Sequence, residues 1–529
     1  MDKLIDFAAQ ELPDQIRILQ DIEQTQNQEA VFPLFKILEK IPDKDPIHYL
    51  VKNTLHTLLA QNEEKTIQGL ASENALTRKI CIFVSGQRQF RSAGPALVDL
   101  ALREKDPALL LEILSALAQI KPVEALKIFR DHATDSAPLI AALSIEMLGN
   151  YADADAIEIL CQIITESESE QRYEECEWTT AKAIESLAKL GAKPAIAFLV
   201  SRLHHKNPTA RRMIHEKLIE IGAPAIPLLA DISVKGDKDQ KLFAARIMGA
   251  IGDKAGGEAL VKTLDQCDAD DLNLKVTIYE ALGQVSFLKG LICLVDGLSN
   301  EKQDLALMAI VTSLNQQANP GVTNKIKELI APDTAQSRKI IQTVIAAKAV
   351  QLFEALYEDP GIAQKMMNQI VESNDEEIIA TFRQKLKMIA NTRSQADALL
   401  LEKLTVAKEG IKILVVDDSA SMLLFYRNIL AELNAAVTTA ENGKQALDHL
   451  SGGQTFDLII TDINMPIMDG VALTREIRSD PYSADIPIIM VTNESENSQA
   501  TLAKKTGING FVIKPFTPDS LIKKIKEFL

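Results

Sequence analysis

The sequence predicts a multidomain chain: an all-α array of stacked helical hairpins, followed by a doubly wound α/β domain built on a five-stranded parallel sheet. Three observations carry this. Hydrophobic residues make up 47% of the 529 residues but aromatics only 5%, a composition that suits helices packed on helices. A Leu or Ile followed by Gly recurs at Gly149, Gly191, Gly222, Gly252 and Gly283, at intervals of 42, 31, 30 and 31 residues. From Ile411 onward, short apolar runs alternate with amphipathic stretches instead. The length excludes a single conventional core and requires several domains or an extended array.

Residues 1–90 read as a helical capping region. Apolar residues fall at helical spacing in Val31-Phe-Pro-Leu-Phe-Lys-Ile-Leu38 and across Leu50 to Leu59, interrupted by Ile41-Pro-Asp-Lys-Asp-Pro46. Over 91–330 each recurring glycine closes an amphipathic stretch, such as Ala245-Arg-Ile-Met-Gly-Ala-Ile251, and is expected to be a helix C-cap. Helices restart at Lys193-Pro-Ala-Ile, Ala223-Pro-Ala-Ile and Gly257-Glu-Ala-Leu, where proline near the first position costs no hydrogen bond. A two-helix unit cannot bury its apolar face alone and must stack on its neighbours. In this period and pattern the segment resembles the HEAT-repeat family of α-solenoids in its short bacterial form. The first interval has 11 surplus residues, which fall at Thr165 to Trp178. That acidic insert is either a solvated extension or a site where Tyr173 and Trp178 anchor a partner. Residues 331–397 continue the helical pattern without the repeat phase, as a C-terminal cap would. Residues 398–410 form a helical linker, with Glu409-Gly410 as a short hinge.

Strands are expected at Ile413–Val416, Ala435–Thr439, Leu458–Thr461, Ile486–Val491 and Gly510–Ile513, with helices starting near Ser419, Gly443, Gly470, Asn497 and Pro518. The chemistry sits at the strand ends. Asp417 and Asp418 lie side by side after the first, Asp462 follows the third and Lys514 the fifth. Parallel strands in an open sheet converge on one crevice at their carboxyl ends, so these groups can meet. Adjacent carboxylates in such a place call for a cation, and the oxygen donors suit Mg2+ or Mn2+.

Residues 411–529 closely resemble a response-regulator receiver domain of the chemotaxis-regulator type, which implies a flavodoxin-like fold. The resemblance implies Asp462 as phosphoacceptor, with the metal held by Asp417, Asp418, Asp462 and the backbone carbonyl of Asn464. Thr492 is the implied switch hydroxyl, Lys514 the lysine that offsets charge on the phosphoryl oxygens, and Phe511 the aromatic that changes exposure with the switch. Asn464 and Glu494 occupy positions that tune loss of the phosphoryl group. Gly470 closes the turn Met465-Pro-Ile-Met-Asp-Gly470, and Pro515 matches a proline whose peptide bond is often cis.

The net charge is -16, with 15 acids against 11 bases in 411–529, so general binding to nucleic acid or anionic membranes is not expected. The amino terminus has no uninterrupted apolar region, no stretch approaches the ~20 apolar residues of a membrane span, and a soluble cytoplasmic protein is expected. Cys81, Cys161, Cys176, Cys267 and Cys293 lack C-x-x-C spacing, which argues for small core residues in a reducing compartment. His215-Glu216 reads as an ordinary helical histidine rather than a phospho-histidine box. His204, His205, Arg202, Lys206, Arg211 and Arg212 read as a solvated basic face.

The functional expectation is a two-component, phosphorelay response regulator, not an enzyme beyond its own phosphoryl transfer and dephosphorylation. A histidine kinase or phosphotransfer protein loads Asp462, and the solenoid contacts a protein target. No familiar DNA-binding output follows the receiver, because the sequence stops at Phe528-Leu529. The alternatives are a constitutive scaffold whose receiver is a phosphate sink or docking tag, and a solenoid with lyase or nucleic-acid activity.

Overall fold

The computed structural model describes residues 4, 6–169, 177–268, 271–404, 410–433, 435–492 and 506–529. The chain divides into two compact units, Met1–Ser167 with Glu177–Ala195, and Glu168–Cys176 with Ile196–Leu529.

In the first unit, helices Ala75–Gln87 and Pro107–Ile120 pack on each other, as do Pro138–Asn150 and Trp178–Leu190, with shorter helices between them in sequence. Their starts are chemically defined. The side chains of Asp45, Asn62, Asn74 and Asp106 each accept a backbone N–H in the first turn of the helix that follows. The second unit continues the arrangement through Pro208–Ile221, Lys238–Ile251, Leu272–Gln284, Asp304–Gln316, Ala335–Ala346 and Pro360–Ser373, each packed on the next. HEAT-type helical repeats therefore precede the α/β domain.

The recurring glycines divide into two kinds. Gly191 and Gly252 end their helices at φ 60° and 71°, a left-handed conformation that glycine adopts without steric penalty. Gly222 also caps a helix at positive φ. Gly149 and Gly283 are not caps, contrary to expectation, because they lie inside Pro138–Asn150 and Leu272–Gln284. Their reason is interhelical. A Cβ at Gly149 would come within 2.9 Å of Ser186 backbone, and one at Gly283 within 2.4 Å of the Ser313 hydroxyl. Each serine uses the close approach in the same way: Ser186 donates to the Ile145 carbonyl at 2.8 Å and Ser313 to the Tyr279 carbonyl at 2.9 Å. The hydroxyl thus bonds the carbonyl four residues before the glycine that admits it. Gly257 likewise does not start a helix. The helix is Lys254–Asp265, begun by the Asp253 side chain accepting from Ala255 N–H at 2.7 Å.

Of the cysteines, Cys81 is buried, with its thiol pushed up to about 12 by burial, while Cys161, Cys267 and Cys293 are partly exposed. Cys176 and Tyr173 lie outside the described residues. Trp178 opens its helix about half exposed. No described helix is long and apolar enough to cross a membrane.

The α/β part forms one parallel five-stranded sheet from β1 (Lys412–Val416), β2 (Ala436–Ala440), β3 (Leu458–Asp462), β4 (Ile488–Thr492) and β5 (Gly510–Ile513), in the order β2-β1-β3-β4-β5. β3 and β4 are buried at every position, as strands covered by helices on both faces must be. The helices are Ala420–Ala431, Gly443–Ser451, Gly470–Ser479 and Pro518–Ile525, and the helix expected near Asn497 lies outside the described residues.

The glycine–serine packing predicts that Gly283→Ala destabilises the repeats, although alanine is the better helix former by ~1 kcal/mol. The new methyl meets Ser313 across the helix interface, and overpacking of this kind costs roughly 1–3 kcal/mol. A lower urea midpoint, followed by far-UV circular dichroism, is the expected result.

Candidate functional site

β1 and β3 are neighbours, with Val416 paired to Thr461, so the residues that follow Val416 stand beside the end of β3. The chain runs from β1 to β2 on one side and then crosses back to β3 on the other side of β1, which opens a crevice at this switch point. Asp417 is fully buried at its floor and Asp462 is 5% exposed. Gly470 holds the turn against β3: its N–H donates to the Ile463 carbonyl at 2.9 Å, and a Cβ there would lie 2.1 Å from the Asp462 carbonyl oxygen. Within that turn Ile467 takes φ 66°, an unfavourable conformation for a β-branched residue.

Lys514 reaches across from the end of β5. Its Nζ lies 2.9 Å from Asp417 Oδ2 and 3.5 Å from Asp462 Oδ2. Its own N–H donates to the Thr492 carbonyl at 2.8 Å, and the Lys514–Pro515 peptide is cis. Burial disfavours the charged ammonium, but Asp417 and Asp462 outweigh it and hold the lysine pKa above its ordinary value. Burial raises the Asp462 pKa, against the pull of Lys514, and Asp417 adds to the rise. Burial likewise pushes Asp418 up to about 7, opposed by Arg246 and reinforced by the other two carboxylates.

Asp417, Asp418 and Asp462 can each direct an oxygen into a space where all three lie within 4.8 Å of one another. Asp418 Oδ1 is buried and has no hydrogen-bond partner among the described residues. A polar atom left in that state, among like charges, fits a site for a hard divalent cation with oxygen ligands. Receiver-type chemistry needs such a cluster, and the donor set suits Mg2+ or Mn2+.

The other expected residues are placed as follows. Thr492 ends β4 fully buried. Phe511 on β5 is half-buried and packs on the cluster of Ile463, Val471, Met490 and Ile508. Glu494 lies outside the described residues.

Sequence reading missed a second set of groups, contributed by the helical repeats. Arg246 Nη1 donates to Asp418 Oδ2 at 3.1 Å and to the Asn464 carbonyl at 3.2 Å. Ser419 donates to Glu280, and Thr209 donates to Asp469 Oδ2 at 3.2 Å. Arg427 pairs with Glu377, and helix Ala420–Ala431 packs on Asp304–Gln316. A signal existed at Arg246: it stands between Ala245 and Ile247-Met248, all buried, so a cation interrupts an apolar run.

Arg211, Arg212, His215, Arg246, Asp418 and Asn464 line a cavity of about 250 Å³. The expected solvated basic face is therefore divided: His204 and Lys206 are exposed, while His205 is buried and Arg211 and Arg212 turn toward the cavity. Arg211 is 5% exposed and donates to the His205 carbonyl at 3.3 Å, while Arg212 pairs with Glu216 at 2.9 Å. Helix-on-helix packing, not solvent, receives these side chains. His215 Nε2 donates to the Leu203 carbonyl at 2.9 Å and its ring lies 4.8 Å from that of Phe243. Burial lowers its pKa to about 3.

A family profile described as response regulator receiver domain matches residues 413–526, and one described as HEAT repeats matches 94–179. The chain is 40% identical over 120 residues to a chemotaxis protein CheY homolog of Campylobacter jejuni, covering 22% of this chain and 92% of that one. It is 40% identical over 120 residues to chemotaxis protein CheY1 of Helicobacter pylori, covering 22% of this chain and 97% of the other. Among solved structures, it is similar to the receiver domain of sensor histidine kinase PA1611 from Pseudomonas aeruginosa PAO1, determined with a magnesium ion coordinated in the active site cleft. There the identity is 28%, the coverage 22% of this chain and 97% of that one, and the TM-score 0.21.

The half-buried His215 predicts a pH dependence. Because the folded pKa of His215 is depressed, the unfolded chain binds the extra proton, and stability present above pH ~6.5 is lost as pH falls toward 3. Between pH 7.5 and 5, wild type should lose about 2 kcal/mol more than His215→Gln. Urea titrations at the two pH values measure that difference.

Proposed function

Because the chain belongs to the response-regulator receiver family through residues 413–526, we propose that it is a phosphorelay response regulator loaded on Asp462. The observation that supports this best is the convergence of Asp417, Asp418, Asp462 and Lys514 in one strand-end crevice.

The donor is a phosphohistidine of a histidine kinase or phosphotransfer protein. An Asp462 carboxylate oxygen attacks phosphorus, the P–N bond breaks, and its electron pair leaves with the imidazole. Loss of the group reverses the bookkeeping of charge: water attacks phosphorus, the Asp462 carboxylate is regenerated and inorganic phosphate departs. Lys514, already 3.5 Å from Asp462, neutralises one phosphoryl oxygen, and the Thr492 hydroxyl donates to another. Mg2+ or Mn2+, held by Asp417, Asp418, Asp462 and the Asn464 carbonyl, supplies further neutralisation of phosphoryl charge. Asn464 and Glu494 tune how quickly the group is lost. Phe511 moves with Thr492, while Gly470 and Pro515 shape the backbone around the acceptor.

The helical repeats are the output. In this reading residues 1–90 cap the solenoid, 91–330 form its repeats, 331–397 close it, 398–410 link it and 411–529 receive the phosphoryl group. The added charge shifts an equilibrium between two arrangements of receiver and repeats, and a protein target distinguishes them.

Incubation with radiolabelled acetyl phosphate and Mg2+ should label wild type and leave Asp462→Asn at background. Equal labelling of both proteins would exclude Asp462 as the acceptor. Pull-down with and without beryllofluoride should recover a different set of proteins from wild type, and the same set from Asp462→Asn.

A further inference from the structure

The repeats do more than precede the receiver. We propose that helices Pro208–Ile221, Lys238–Ile251 and Leu272–Gln284 form a docking surface for the chain's own receiver in its metal-free state, with Arg246 in the place of the divalent cation. Docking and metal loading then exclude one another. This rests on the receiver reading above and concerns how the same site is controlled.

The first support is chemical identity. Arg246 Nη1 bridges Asp418 Oδ2 at 3.1 Å and the Asn464 carbonyl at 3.2 Å, two of the four groups assigned to the metal. A single cationic nitrogen thus serves an anionic and a neutral oxygen, as a metal ion would. Mg2+ requires its ligands at about 2.0–2.1 Å in octahedral array and keeps several waters. That hydrated ion needs the space beside the Asn464 carbonyl, which the guanidinium fills, while Asp418 Oδ1 stays open to either cation. A guanidinium left there would also face a dication across a short gap.

The second support is charge. Lys514 is the one lysine or arginine of the receiver paired with the carboxylate triad among the described residues, which leaves the cluster negative. Arg246 brings part of the missing charge, paired with Asp418 at 3.1 Å. The receiver is therefore electrostatically complementary to this face only while the metal is absent.

The third support is that the contact extends around the site. Glu280 accepts from Ser419, the residue after the acidic pair. Thr209 donates to Asp469 at 3.2 Å, at the far end of the Asn464 turn. Arg427 pairs with Glu377 well away from the carboxylates. A chance meeting of one arginine with one aspartate would not place three further polar contacts on both sides of it.

The consequence is an order of events. Metal binding releases Arg246, the receiver leaves the repeats, and the face carrying Thr209, Arg246 and Glu280 becomes free. Phosphorylation of Asp462 then prolongs the open state.

The test measures metal affinity and shape rather than phosphoryl transfer. Calorimetric titration of full-length wild type, Arg246→Ala and Glu377→Arg with MgCl2 reads the competition directly. A form docked nine times in ten lowers the apparent affinity about tenfold, so both variants should bind Mg2+ about tenfold more tightly than wild type. Small-angle scattering of wild type should show a larger radius of gyration at saturating MgCl2. Equal affinity in wild type and Arg246→Ala, or unchanged scattering, overturns the proposal. Should Arg246→Ala fail to fold, Glu377→Arg decides alone, because it breaks docking without touching the metal groups; wild-type affinity there overturns the proposal equally. If neither wild type nor any variant binds Mg2+ and none is labelled by acetyl phosphate, the receiver reading itself fails, and the docking proposal with it.

Discussion

Three carboxylates crowded at the ends of two adjacent strands set the terms for the rest of this molecule. Asp417, Asp418 and Asp462 bring oxygens within 4.8 Å of one another in a place where water is largely excluded. Burial and mutual repulsion both favour protonation there, as the raised pKa values of Asp418 and Asp462 show. Positive charge is the remedy, and the fold delivers it from far along the chain. Lys514 comes from β5, two strands away from β3, and Arg246 comes from the helical repeats. Sheet order, the Gly470 turn and the placement of the repeats can all be read as answers to that electrostatic demand.

The repeats meet it through backbone approach. At Gly249 a Cβ would lie 2.6 Å from Ala281, so helices Lys238–Ile251 and Leu272–Gln284 touch closely one turn from Arg246. Glu280 is next to Ala281 in sequence. The same small-residue contact that stacks two repeats therefore sets Arg246 and Glu280 on adjacent helices, where one meets Asp418 and the other Ser419. Gly149 with Ser186 and Gly283 with Ser313 use the same close packing. Stability of the solenoid and presentation of its polar face thus share one structural device.

The sequence by itself determined the class of each half. A period near 31 residues demands stacked hairpins, because each unit must bury its apolar stripe on the next, and strand runs ending in Asp417-Asp418, Asp462 and Lys514 demand a common crevice. These signals are local or strictly ordered along the chain, so the sheet, the acidic cluster and the lysine were all legible in advance. The positions of Gly149 and Gly283 show the limit. A glycine that ends a helix and a glycine that admits a neighbouring helix leave the same mark in sequence, and only packing distinguishes φ 71° at Gly252 from the buried contact at Gly283. Arg211 and Arg212 were misjudged for a related reason: which side of a helix faces solvent depends on what else packs there. The arginine interrupting the apolar run Ala245 to Met248 was visible, but the partners of Arg246 were beyond reach. It lies 172 residues from Asp418 and 218 from Asn464, with nothing periodic connecting them. Proximity of that kind is decided when whole domains come together, since it depends on the summed geometry of many repeats rather than on any residue's own preference.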